Sequence, residues 1–253
     1  MTQSQLLTQC GSSKIGREEL KAIPTPEASA THQPIPHHEI VEALVEVLGF
    51  RQISAVREEY AVSGDGMKMF GVLDLETTFD GCRFAVGLRN SNDKSMRLAL
   101  TVGYRVLVCD NMAFHGDFTP VLAKHTKRLS LTDILSIGVD RMQRSFEPMR
   151  RQVESWKATR LTDDAVKLII YQAFVEGKLD AAKYLARRVH DEYFQPKVAE
   201  FTPRTAWSLS NAFTTAFKDL DPIRQFKATA EFASFLEVLI PGSSALQEAT
   251  FAS

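Results

Sequence analysis

Four arginines in the middle of the chain share one parity. Arg83, Arg89, Arg97 and Arg105 occupy odd positions in segments that alternate apolar and polar residues. A period of two puts them on one face of β-strands. Ala85, Gly87, Ala99, Thr101 and Gly103 have the same parity, so the guanidinium groups rise from a floor of small side chains. The opposite parity carries Cys82, Phe84, Val86 and Leu88, then Met96, Leu98, Leu100, Val102, Tyr104, Val106 and Val108, an apolar wall. Guanidinium binds phosphate oxygens bidentately, and a small-residue floor lets a phosphodiester backbone approach closely. Lys94 in the adjacent loop and Lys124, Lys127 and Arg128 further on extend the track. Residues 89–160 hold 13 Lys+Arg against 7 Asp+Glu, a local balance of +6 in a chain of net charge −1. That asymmetry favours an anionic partner. The competing reading is that the arginines pair across strands with Glu58, Glu59, Asp74 or Glu76 on the polar side of an ordinary sheet.

Other constellations carry weaker signals. Asp74 and Glu76, at i and i+2, share a strand face and could hold Mg²⁺ for phosphodiester cleavage. Alternating acids are also common on half-exposed strands. His37 and His38 are adjacent at a helix start and point apart, which suits a polar cap better than chelation. His115 and His125 have no Cys or His partner at metal-ligand spacing. Cys109 with His115 is a conceivable nucleophile pair without local support. GxxxxGK[ST], GxGxxG and GxSxG are all absent, so nothing supports P-loop, Rossmann or α/β-hydrolase chemistry. No catalytic residue, metal ligand or cofactor is expected.

These residues need elements to hold them. Residues 1–36 read as a proline-interrupted arm, either disordered or laid on the body through Leu6, Leu7, Leu20 and Ile23. A short amphipathic helix follows over 38–50, stopped by Gly49. Strands are expected at 53–62, 67–77, 82–89 and 95–109. They are separated by turn signals at Gly64-Asp65-Gly66, Asp80-Gly81 and Asn90-Ser91-Asn92-Asp93. Short connections imply an antiparallel meander. Beyond Pro120 the period becomes helical. Leu135, Val139, Met142, Phe146, Met149, Val153 and Trp156 form one seam on a helix over 131–158, about 40 Å long, with Pro148 inside it. The seam suits internal packing better than a coiled coil with a second chain. Further helices are expected from a Thr162 cap to 176, from an Asp180 cap to before Pro196, over 204–219 and over 222–239. Strands first and helices after make an α+β fold, about four strands followed by about five helices on one face. The domain organisation expected is an arm over 1–36 and one domain over 37–253.

The 253 residues, 44% hydrophobic and 24% charged, are those of a globular protein. Cys10, Cys82 and Cys109 make no CxxC pair and no even-numbered framework, which points to reduced thiols and a cytoplasmic setting. No apolar run is long enough to span a bilayer.

Two segments carry a family resemblance. One is Gly87-Leu-Arg89-Asn-Ser-Asn-Asp93-Lys-Ser, leading into Val106-Leu-Val-Cys109-Asp110-Asn111-Met-Ala-Phe114. The other is Thr205-Ala-Trp207-Ser-Leu-Ser-Asn211-Ala212-Phe-Thr214. Over about 38–220 the chain resembles the phage/plasmid-like family known as domain of unknown function 932. The resemblance implies a bacterial, prophage or plasmid origin and no particular mechanism. Asn90, Asp93, Asp110 and Asn111 stand out as loop-motif residues, and Trp207 and Asn211, at i and i+4, share a helix face that could pack on that region. The combined expectation is a mobile-element accessory that binds single-stranded nucleic acid on the arginine face. No helix reads as a major-groove probe, and Tyr60 is the only stacking aromatic these strands offer. The alternatives are a metal-dependent nuclease using Asp74 and Glu76, and a non-enzymatic counter-defence factor that binds a host or phage protein.

Overall fold

Alternation of apolar and polar residues, broken by turn residues that accept positive φ, produces the sheet. In the computed structural model, which describes residues 12–114, 121–126, 129–220 and 222–240, β2 (Ala55–Ser63), β3 (Lys68–Phe79), β4 (Cys82–Ser91) and β5 (Leu98–Val106) follow one another as expected. The turn between β3 and β4 is Asp80-Gly81, with φ of +41° and +78° at the two residues. That conformation favours a glycine at the second position. β2 pairs antiparallel with β3, and β3 with β4, placing Glu59 opposite Val72, Arg57 opposite Asp74 and Asp74 opposite Ala85.

Two strands of this sheet come from segments without strand periodicity. β1 (Ser12–Ile15) belongs to the proline-rich arm and pairs antiparallel with β2. A one-turn helix, α1 (Arg17–Lys21), follows it and buries Leu20 completely. The arm therefore lies on the body from residue 12 onward, and Leu20 is an anchor; Leu6 and Leu7 lie outside the described residues. β7 (Val121–Ala123) pairs antiparallel with the start of β5. A further short strand, β6 (Met112–Phe114), follows the Cys109-Asp110-Asn111 turn.

Helices form where the period lengthens. α2 (His37–Phe50) buries Ile40, Val41, Leu44, Val47 and Leu48. α3 (Leu131–Ala158) runs 28 residues with Pro148 inside it. Its seam residues Leu135, Val139, Met142, Met149, Val153 and Trp156 are buried within the chain, the internal packing expected of them. α4 (Asp163–Phe174) and α6 (Ala206–Phe217) are capped by the Thr162 and Thr205 hydroxyls, which accept from Ala165 and Ser208 N–H at 3.2 Å. α5 (Leu185–Phe194) starts later than Asp180, which pairs instead with Lys227 of α7 (Pro222–Leu239).

The fold is α+β, with more strands than the four expected. The described residues divide into two compact units. The sheet unit comprises 12–105, 121–126 and 129–145, and the helical unit 106–114, 146–220 and 222–240. In the sheet unit, Gly138 of α3 lies against the sheet. A Cβ there would overlap Val121 Cγ2 and come within 3.2 Å of Leu100 Cδ1. In the helical unit, Phe213 stacks on Phe232 at 4.0 Å and on Phe174 at 5.6 Å, forming an aromatic centre among α4, α6 and α7. Among the described residues, no helix is long and apolar enough to cross a membrane.

Candidate nucleic-acid interface

The arginine face is not an open surface. Every residue of β5 is buried, so the strand is covered on both faces. Arg105 is 2% exposed, and its Nε lies 2.7 Å from Asp74 Oδ2 and its guanidinium 3.7 Å from Glu59 Oε1. Arg57 pairs with Glu59 on the same strand face. The register explains the cluster: Arg57 stands opposite Asp74, and Glu59 is two residues along from Arg57. Burial raises the Asp74 carboxyl above its ordinary range, against the opposing pull of Arg105. Cross-strand pairing therefore holds for Arg105, which is structural and cannot meet a ligand. Arg83 and Arg89 are half-buried on β4. Burial lowers the Arg89 pKa. Tyr60 is not a stacking platform, because it is 2% exposed and its ring lies over Gly71, on the face opposite Glu59.

The same cluster removes the metal reading. Asp74 is committed to Arg105, while Glu76 is exposed beyond a register shift that starts at Asp74. Among the described residues, no group of three His, Cys, Asp or Glu could hold a metal ion. His37 is buried, not an exposed cap. Its Nε2–H donates to Gly66 O at 2.9 Å and its Nδ1 accepts from Asn90 Nδ2 at 2.8 Å. Burial lowers its pKa below the usual imidazole value. Burial likewise pushes the Cys109 thiol up to about 11, which leaves it protonated at neutral pH and a poor nucleophile. His115 lies outside the described residues.

Three of the expected cations do converge, at the end of the sheet and not on its face. Arg97 immediately precedes β5 and Lys124 immediately follows β7. Leu98 pairs with Ala123, so one further step of that register sets Arg97 opposite Lys124. Lys94, in the β4–β5 turn with φ +66°, joins them. All three are exposed and line a cleft of about 310 Å³ together with Thr31, His32, Ser95, Met96, His125 and Thr126. Among the described residues, no carboxylate pairs with Lys94, Arg97 or Lys124. Like charges facing each other across strands cost stability, so an arrangement of this kind suits an anion between them. Lys127 and Arg128 lie outside the described residues.

The first family segment builds the wall of this cleft. Asn90 Nδ2 donates to Ile35 O at 3.1 Å, and Asn92 Oδ1 accepts from Ile35 N–H at 3.1 Å. The Asn92 carbonyl meets His32 Nε2 at 3.2 Å, and Gln33 N–H donates to His125 O at 3.2 Å. Asp93 is exposed and closes the turn, accepting from Ser91 Oγ and from Ser95 N–H, with Lys68 at 3.5 Å. Partial burial raises its pKa, but those bonds and Lys68 outweigh it and hold the carboxyl well below its ordinary range. Asp93 thus positions the backbone of Ser95, while Asn90 ties β4 to the arm at Ile35 and to His37. His32 and His125 stack with rings 5.4 Å apart and 9° from parallel. Sequence reading missed both. His125 looked isolated because its partner comes from the arm, where nothing in the spacing marks the contact.

The second pair of segments meets in the helical unit. Asn111 Nδ2 donates to Asn211 Oδ1 and Thr215 Oγ1, each at 3.0 Å, and Thr215 donates back to Asn111 Oδ1 at 3.2 Å. Lys218 Nζ donates to Cys109 O at 2.7 Å. Asn111, Asn211 and Trp207 are 1%, 2% and 3% exposed. Asp110, at φ +55°, makes the turn between β5 and β6. These residues hold the helical unit together.

An α+β chain whose loop motifs each close a hydrogen-bonded joint is the class of protein the geometry defines. The family model described as Domain of unknown function (DUF932) matches residues 27–235, and the chain belongs to that family. Neither the comparison with curated proteins nor that with solved structures returns a match.

Proposed function

We propose that the protein binds single-stranded nucleic acid, with Lys94, Arg97 and Lys124 holding phosphate of the strand at the mouth of the cleft. The observation that carries this reading is the convergence of three exposed cations, unpaired with carboxylates among the described residues, on one recess. A recess favours an unpaired strand, whose nucleotides can turn inward, over a duplex whose bases are stacked and paired. The mobile-element setting implied by the family resemblance is compatible with such a role. Arg105, buried against Asp74, has no part in it. No observation favours the nuclease or the protein-binding alternative.

The test is fluorescence anisotropy of a labelled 30-mer single strand across a salt series. Three phosphate contacts predict a slope of log K against log salt of about −2. Lys94→Ala/Arg97→Ala/Lys124→Ala, confirmed folded by circular dichroism, loses binding. Arg150→Ala/Arg151→Ala, which removes exposed charge from α3, retains it. Absence of binding at ~50 mM salt, or equal binding by the cleft variant, refutes the reading.

A further inference from the structure

We infer that the cleft is an end-recognition pocket: it takes one nucleotide bearing a terminal phosphomonoester, not an internal stretch of backbone. The inference rests on the nucleic-acid reading for the identity of the strand, and on the cleft itself for the identity of the group.

Size is the first argument. Small-molecule sites run from about 300 to 1,000 Å³, and the cleft, at about 310 Å³, sits at the bottom of that range. It is a recess for one small group, whereas a strand-tracking protein presents a groove several nucleotides long. Charge is the second. Lys94, Arg97 and Lys124 bring three positive charges to one small volume. An internal phosphodiester supplies a single negative charge, while a phosphomonoester carries about −1.5 to −2 at pH 7 and offers three terminal oxygens.

The third argument is His125. It lines the cleft, is 5% exposed, and neither ring nitrogen has a hydrogen-bond partner among the described residues. Buried polar groups are ordinarily satisfied, and an orphaned one calls for an explanation. A neutral imidazole has one N–H to donate, and a phosphate oxygen in the cleft would accept it. His32 holds that ring by stacking on it and is itself fixed through Asn92. Ser95, whose N–H is tied to Asp93 and whose hydroxyl meets Ser91 Oγ at 3.1 Å, lines the same wall.

The experiment compares 3′-labelled 30-mers with a 5′-phosphate or a 5′-hydroxyl, and 5′-labelled 30-mers with a 3′-phosphate or a 3′-hydroxyl. Adenosine 5′-monophosphate, adenosine and inorganic phosphate serve as competitors. The expected result is a preference of about tenfold or more for the phosphorylated member of one pair, since charge-assisted bonds are worth that much or more. The nucleoside monophosphate displaces that strand and adenosine does not. In His125→Phe, checked for folding, the preference falls, and His125→Gln, which keeps an N–H donor, restores part of it; an unchanged preference in His125→Phe refutes the role of the ring. Equal binding of both members of both pairs, with no displacement by the monophosphate, overturns the inference and leaves the nucleic-acid reading standing. Binding of the monophosphate without any strand sustains the pocket and refutes the nucleic-acid reading. Displacement by inorganic phosphate as effective as by the monophosphate overturns recognition of a nucleotide.

Discussion

Acid should unfold the sheet unit through His125 before it does so through the carboxylates. The ring is buried at 5% exposure, and burial, reinforced by the nearby His32 and His37, lowers its pKa from 6.5 to about 4. A histidine depressed in the folded state favours the neutral form, so its contribution is complete above pH 6.5. It is lost progressively as pH falls from 6.5 toward 4, because the unfolded chain takes up a proton that the folded one refuses. A shift of that size corresponds to about 3 kcal/mol, of which about 2 kcal/mol is gone by pH 5. The lowered carboxylates Asp65, Asp93, Asp140 and Glu147 act in the same direction but below their ordinary range near pH 4. Asp74, whose carboxyl burial raises, acts above that range in the opposite sense, and the loss of stability on the way down from 6.5 therefore belongs to the histidines. His37 titrates in the same sense, so the informative quantity is the difference between wild type and His125→Phe, which keeps the ring and removes the proton. Urea unfolding followed by far-UV circular dichroism at half-unit pH steps measures it. Wild type should lose up to one proton's worth, about 1.4 kcal/mol per pH unit, more steeply than the variant. Parallel curves between pH 6.5 and 4.5 would mean that His125 titrates as a solvated imidazole, and the argument for an orphaned ring in the cleft would fail with it.

Three further outcomes follow from the packing. Asp74→Ala removes the nearer carboxylate from the Arg105 guanidinium, 2% exposed, and leaves Glu59 at 3.7 Å; it should cost about 3–5 kcal/mol in urea unfolding, and a loss under about 1 kcal/mol would show the pair to be hydrated. Gly138→Ala gains about 1 kcal/mol of helix propensity but drives a methyl into Val121 and Leu100, so a net loss of about 1 kcal/mol or more is expected. Gly138→Ala/Val121→Ala should lose less than the two single variants summed, and strict additivity would remove the steric explanation. Asn211→Ala removes a 3.0 Å acceptor from buried Asn111 and should cost about 1–3 kcal/mol. Trp156 and Trp207 both lie in the helical unit, so tryptophan fluorescence reads that transition, and an unchanged midpoint would count against the joint.

Most of the elements were legible because period and punctuation agree in them. α3 occupies the span predicted by its seam, and Thr162 and Thr205 cap where their spacing puts them. β1, β6 and β7 were not legible. Each is three or four residues long, too short for a period of two to show, and at least two of them exist because a preformed edge accepts them. Ser12–Ile15 takes the free side of β2, and Val121–Ala123 takes the start of β5. Such strands are products of tertiary structure, and no local pattern encodes them.

The arginines show how the same limit misplaces a site. Parity says which side chains share a face, and of the cross-strand partners offered for the arginines, Arg105 meets Glu59 and Asp74. It does not say whether that face is wet. The glycines and alanines that suggested room for a ligand equally allow the opposing acids to close in, and a guanidinium among carboxylates is neutralised before any phosphate arrives. Lys94, Arg97 and Lys124 escape this because they sit where strands end. Among the described residues, no neighbouring strand offers them a carboxylate in register, and the arm's His32 stacks on His125 beside them. A cation at the end of a strand, facing a cation on the strand that pairs with it, thus stays open to an anion in a way that Arg105, closed in by Asp74 and Glu59, does not.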